Sequence, residues 1–151
     1  MRSWIAGVLM CLPLSVMAQV QLDGPITAGL FATDKKEFKE GERVLLRSEP
    51  TIVEQRQIPA RLGSKFGVRF SLRGKTEGDE PLTFMYLTPT IVTPDGMHHD
   101  RAEVLQRIVP HTQHEIMAYE FTESHEVVTG TWRFLVFQGS RKLLEEHFEV
   151  Q

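Results

Sequence analysis

Regular alternation of apolar and polar residues in the segment KFGVRFSLRG (65–74) constrains the fold of this chain more than any other feature. Phe66, Val68, Phe70 and Leu72 occupy every second position, and only glycine, arginine or serine stands between them. A period of two places these apolar side chains on one face of a β-strand, whereas a helix would spread them around its axis. The segment therefore predicts a strand with one buried face.

A second alternation, in residues 130–150, predicts a β-hairpin. The apolar residues alternate in each arm, and Gly139 within QGS supplies the turn. In the return arm, the alternation places Glu146 on the same inward face as the apolar residues, where a charged side chain is unfavourable. This indicates either a β-bulge or an edge strand whose inward charge discourages aggregation, and we favour the edge strand. The residues expected to face the core are Trp132, Phe134, Val136, Leu144, Phe148 and Val150.

Shorter strand patterns fill most of the remaining sequence. QVQLDGPITAGLFA predicts a strand broken near Gly24, HEIMAYEFT predicts another, and LTFMYLTP predicts one that ends before Pro89. ERVLLR and TIVEQ predict short extended pieces, and the charged TDKKEFKEGER predicts a loop. RAEVLQRIV is compatible with two helical turns or with an edge strand stopped by Pro110. Seven or eight strands without alternating helices predict an all-β, antiparallel β-sandwich.

The first 18 residues have the pattern of a secretory signal peptide. Arg2 precedes the apolar run WIAGVLMCLPLSV, and Val16 and Ala18 are the small residues that signal peptidase requires. The run is shorter than the roughly 20 residues that span a bilayer. The residue before Cys11 is not small, which argues against lipoprotein processing. We therefore expect a signal peptide at 1–18 and cleavage after it.

Cleavage at this point removes Cys11, the only cysteine of the chain. The mature part, a single β-sandwich domain at 19–151, would enter the periplasm or be secreted with neither a thiol nor a disulfide. This excludes a thiol nucleophile, a cysteine-ligated zinc and an iron–sulfur cluster. A formal net charge of -3 argues against nucleic acid as a partner, and no integral membrane segment is expected after cleavage.

Two segments, TIVEQRQIPARLGSKFGVRFSLRG (51–74) and VTGTWRFLVFQGSRKLLEEHFEV (128–150), resemble a bacterial exported family named domain of unknown function 3859. Arg56 stands where the family pattern has threonine, and residues 75–125 match poorly. The resemblance implies an immunoglobulin-like β-sandwich of about seven or eight strands with no established activity and no catalytic residues. The matching positions are Val53, Glu54, Ile58, Pro59, Ala60, Gly63, Phe66, Gly67, Gly130, Trp132, Phe134, Val136, Phe148 and Val150.

Histidines suggest one chemical function. Four of the six lie between residues 98 and 114, in two segments that both read as loops. If the two segments meet at one end of the sandwich, they offer imidazole and carboxylate ligands to Cu(II), Zn(II) or Ni(II). Adjacent histidines point to opposite sides of an extended backbone, so solvated histidines are the favoured interpretation. The candidate metal ligands are His98, His99, Asp100, His111 and His114.

Outward-facing apolar residues suggest a second function, the binding of another protein. Leu135 and Phe137 have outward parity in the hairpin, where they face either a partner or a covering segment of the chain. A partner can also add a strand to an open sheet edge. Nucleophile-elbow, phosphate-loop and dinucleotide motifs are absent from the sequence. We therefore expect a non-enzymatic envelope binding or structural module, with another envelope protein as its partner; the alternative is a periplasmic metal-binding protein.

Overall fold

Eleven β-strands form in residues 19–43 and 50–151, the parts of the chain that the computed structural model describes. The predicted signal peptide and most of ERVLLR lie outside these residues. Seven of these strands have five or more residues, and four two-residue strands raise the number above the seven or eight expected. The strands are β1 Gln21–Leu22, β2 Thr27–Phe31, β3 Ile52–Val53, β4 Gln57–Ile58, β5 Lys65–Phe70, β6 Leu72–Arg73, β7 Leu82–Val92, β8 His98–Gln106, β9 Glu115–Glu120, β10 Gly130–Gln138 and β11 Arg141–Val150.

Two larger sheets form the sandwich. One has the strand order β4-β11-β10-β7-β8 and the other the order β3-β2-β5-β9, while β1 and β6 form a separate two-stranded sheet. Neighbouring strands pair antiparallel, apart from the short parallel pair of β4 with β11. The inward faces of β5 and β10 meet between the sheets, where the Phe66 and Phe134 rings stack with centroids 5.3 Å apart. The predicted β-sandwich is confirmed.

Phe66 is at the centre of the aromatic core. Its ring centroid lies 5.4 Å from that of Phe121, 5.6 Å from Trp132 and 5.3 Å from Phe148. All four side chains are fully buried, and each contributes about 1.5–3 kcal/mol through the removal of apolar surface from water. The Trp132 indole N–H donates a hydrogen bond to the Val128 carbonyl at 3.1 Å, so its polar atom is satisfied inside the core.

Close backbone approach explains one glycine of the family pattern. A Cβ atom at Gly67 would lie 2.0 Å from the Met117 carbonyl oxygen in β9. Because that oxygen belongs to the backbone, it cannot move aside without disturbing the β5–β9 ladder. The glycine therefore allows β9 to pass closely over β5.

Strand β7 differs from its prediction. It does not end before Pro89 but continues to Val92. Its pairing with β8 is interrupted between Leu87 and Ile91, and three residues of β7 there face one residue of β8. Pro89 lies inside this irregularity, where its missing N–H costs no ladder hydrogen bond. The ambiguous segment RAEVLQRIV supplies most of edge strand β8 and is not helical.

Strand β11 is an edge strand along most of its length, because β4 pairs only with its last two residues. The edge interpretation of Glu146 is therefore confirmed, and a register shift also occurs in this hairpin, between Val136 and Phe137. Arg56 Nη1 lies 2.5 Å from the Glu146 carboxylate, and its guanidinium lies 5.6 Å from the centroid of the Phe148 ring. Arg56 thus covers the open side of β11.

Candidate functional site

The side chains predicted as metal ligands lie in two separate places. His98 and His99 are exposed at the beginning of β8, not in a loop as expected. His114 lies beyond the other end of β8, where its Nδ1 is 3.0 Å from the Ser71 hydroxyl. The eight residue steps of β8 separate its ends by about 26 Å. Within residues 19–43 and 50–151, no group of three or more metal-ligating side chains is placed to hold an ion. The structure therefore does not bring together the predicted ligands His98, His99, Asp100, His111 and His114.

The outward face of the hairpin is closed by the chain's own side chains. Leu135, for which the sequence leaves a partner or a covering segment open, retains only 6% of its surface, and Phe137 is half-buried. Met85 and Glu145 lie directly opposite Leu135 on the neighbouring strands, and Arg133 precedes it by two residues on the same face. Long side chains such as these cover apolar surface with their stems. The interaction role of Leu135 and Phe137 stays a prediction.

Glu145 holds this outer cluster together. Its carboxylate accepts hydrogen bonds from Lys142 Nζ at 2.9 Å and Arg133 Nε at 2.9 Å, and His147 Nε2 lies 3.3 Å away. The bonds from Lys142 and Arg133 are the main causes that lower the pKa of Glu145 to about 2. The carboxylate is therefore charged throughout the neutral range, and the cluster is ion-paired above Leu135.

Strand β8 is the most open surface of the sandwich. It pairs only with β7 among the described strands, and eight of its nine residues are exposed. Leu105 retains 72% of its surface and Val104 retains 49%. Its second edge presents a row of backbone N–H and C=O groups in the geometry that a further strand would bind.

The remaining sheet edges in the described parts of the chain are protected. Strands β3 and β4 have two residues each, which is too short to template another strand. Strand β9 is largely buried or half-buried, and β11 has a register shift and the charged cover of Arg56. β8 has neither proline nor lysine within its nine residues. It does carry three charged residues, Asp100, Arg101 and Glu103, so this edge is exposed and charged rather than exposed and apolar.

A cleft of about 230 Å³ lies beside β8, at the irregularity in β7. Residues from β7, β8, β9 and the short 3₁₀ helix Ser124–Glu126 form its walls. Burial, followed by the charge of Glu126 and a hydrogen bond to it, raises the pKa of Tyr119 well above its ordinary value, so this hydroxyl stays protonated. The lining residues are Thr88, Ile91, Thr93, His99, Arg101, Ala102, Tyr119, His125 and Glu126.

The cleft offers binding groups and no activated nucleophile among its described lining residues. The Thr88 hydroxyl donates to the Pro89 carbonyl at 2.8 Å, and the Thr93 hydroxyl donates to the Asp95 carboxylate. Both hydroxyl groups therefore already donate hydrogen bonds to neighbouring residues in their own segment. The remaining groups are imidazole, guanidinium and carboxylate, which can bind polar or charged ligands.

Sequence reasoning did not find this cleft. His99 was a candidate, but Tyr119, His125 and Glu126 follow it at a distance and carry no motif. They meet His99 because β9 and β8 are edge strands on the same open side of the sandwich. The described residues also include no helix with the length and hydropathy of a membrane span.

Comparisons with known proteins agree with this architecture. A family model with the description "Domain of unknown function (DUF3859)" matches residues 19–150. The chain is similar to the crystal structure of an immunoglobulin-like protein from Pseudomonas aeruginosa, with 50% sequence identity and a TM-score of 0.78. The match covers 90% of this chain and 99% of that chain. No curated protein matches the chain.

Proposed function

This chain belongs to the family described as Domain of unknown function (DUF3859), and we propose that it is a non-enzymatic binding module of the bacterial envelope. The N-terminal signal pattern supports export, and the family match begins at residue 19, next to the expected cleavage position. The cleft supports a binding role, because its described walls present imidazole, guanidinium and carboxylate groups to a polar or charged ligand.

The observation that carries this proposal is the open edge of β8. An extended segment of another envelope protein would add a strand there, because its backbone would satisfy the unpaired N–H and C=O groups. Alternate side chains of β8 would then select the partner. Binding at this edge needs no rearrangement of the core, since β8 makes all its described strand pairs with β7.

A photo-cross-linking residue at position 105 tests the proposal in intact cells. The Leu105 side chain is the most open large apolar group on β8, so a bound strand would lie within reach of it. Val53 gives a matched control, because it is 47% exposed on β3, an edge strand of the other sheet.

We expect cross-linked species in the periplasmic fraction from position 105 and none from position 53. Mass spectrometry of each species identifies the bound protein. Equal cross-linking at both positions, or none at position 105, would overturn binding at β8. Recovery of the chain only from the cytoplasmic fraction would overturn the envelope location.

A further inference from the structure

We propose that the strand bound to β8 is β8 of a second copy of this chain, paired antiparallel about a two-fold axis at Ala102. This inference rests on the proposed function, because it names the partner of the same edge. The two five-stranded sheets would then join into one continuous sheet across the axis.

The length of β8 supports this arrangement. Ala102 is the central residue of the strand His98–Gln106, so pairing about it uses all nine residues of both copies. A nine-residue antiparallel pair makes about eight to ten backbone hydrogen bonds. The smallest side chain of the strand stands at the axis, where the two copies approach each other with identical residues.

Charges on β8 are complementary to themselves in this register. Arg101 and Glu103 flank Ala102, and within one copy they form an exposed ion pair on the same face. Pairing about Ala102 places Arg101 opposite the partner's Glu103, and Glu103 opposite the partner's Arg101. Four alternating charges then lie together on one face of the joined sheet, an arrangement that stabilises strand pairs.

Neighbouring registers lack this complementarity. A two-residue slip in one direction places Glu103 opposite the partner's Glu103, and a slip in the other direction places Arg101 opposite the partner's Arg101. A one-residue slip puts Asp100 opposite the partner's Glu103 or gives no ion pair at all. Because like charges directly opposite each other destabilise a ladder, the sequence favours the register centred on Ala102.

A single-cysteine experiment tests the register. The full chain carries Cys11→Ser, which removes its only thiol, together with Ala102→Cys. Directly opposed residues in an antiparallel pair have Cα atoms roughly 4.5–5.5 Å apart, within the range that a disulfide bridges. We expect mild oxidation of the purified protein to give a covalent dimer on a non-reducing gel.

The control is Leu105→Cys in the same Cys11→Ser background. Leu105 is more than half exposed on the same strand, yet in this register it lies opposite the partner's His99. The two introduced cysteines would be six residue steps apart along the ladder, about 20 Å, which no disulfide spans. Equal dimer yields from positions 102 and 105 would refute the register.

Charge exchange provides the second test, without cysteine. Arg101→Glu and Glu103→Arg each replace two attractive cross-strand pairs with two repulsive ones, because the axis doubles every change. We expect each single variant to raise the dimer dissociation constant by on the order of tenfold in sedimentation equilibrium. The double variant restores opposite charges and should return the constant to the original value.

Failure of this inference is distinguishable from failure of the proposed function. If Ala102→Cys stays monomeric while position 105 cross-links a different protein in cells, the second copy is wrong and the binding edge stands. If neither position yields a cross-linked species, both proposals are wrong. Single and double charge variants with equal dissociation constants would refute the Arg101–Glu103 pairing.

Discussion

The buried ion pair of Lys75 and Glu115 gives the strongest stability prediction. Lys75 Nζ lies 3.2 Å from the Glu115 carboxylate, and the two side chains retain only 6% and 8% of their surface. The ammonium also donates to the Thr112 carbonyl at 2.5 Å and to its hydroxyl oxygen at 3.0 Å. The pair thus fixes the loop after β6 to the beginning of β9.

Lys75→Met removes the cation and leaves the buried carboxylate without its charged partner. Breaking one side of a buried pair costs about 3–5 kcal/mol, since desolvation of the remaining charge is no longer compensated. A domain of this size is stable by about 5–15 kcal/mol, so the loss would be a large fraction of the total. The double variant Lys75→Met with Glu115→Leu leaves no unpaired charge and should cost much less than the single variant.

Urea unfolding, followed by fluorescence of the buried Trp132, measures these differences. Lys142→Met is the control, because that lysine is half exposed and its ion pair contributes no more than about 1 kcal/mol. A loss below about 1 kcal/mol for Lys75→Met, equal to that of Lys142→Met, would refute the argument from desolvation. A double variant as unstable as the single variant would refute it equally.

Two further predictions concern protonation and metals. The lowered pKa of Glu145, about 2 against an ordinary 4.5, means that its contribution is present above pH 4.5 and is lost as the pH falls towards 2. Between these limits the wild-type unfolding free energy should fall by about 1 kcal/mol more than that of Glu145→Gln in urea titrations, and parallel curves would contradict this. In thermal melts, Cu(II), Zn(II) and Ni(II) should not raise the melting temperature, because the candidate ligands lie at opposite ends of β8. The control variant changes His98, His99, His111 and His114 to alanine. Specific binding would stabilise the fold by about 2.7 kcal/mol at a hundredfold excess of metal over the dissociation constant. A melting-temperature shift of that size that is absent from the alanine variant would establish the metal site.

Period-two patterns predicted the elements that form the core. Phe66 and Trp132 have inward parity in strands β5 and β10, and both are fully buried as that parity predicts. The prediction failed at Pro89 because a strand can carry a proline where its ladder is interrupted, and the interruption is a property of two strands together. The alternation also leaves open what covers Leu135, because outward parity does not report how neighbouring long side chains pack over a face.

The candidate site was less predictable than the core. β8 contains both the histidines that drew attention in the sequence and the exposed edge, but only the strand order shows that the edge is open. The cleft depends on the approach of Tyr119 and Glu126 to His99 across the open side of the sandwich. These residues share no spacing rule, because their proximity arises from sheet packing alone.

The aromatic core also determines when the domain can fold during its synthesis. Phe66 packs against Trp132, Phe134 and Phe148, and Phe148 lies in the last strand of this sequence. Contacts between residues so distant along the chain form slowly, and none of these contacts exists until β10 and β11 have been made. A growing chain therefore has no closed core to unravel, which is compatible with the export that the N-terminal signal pattern predicts.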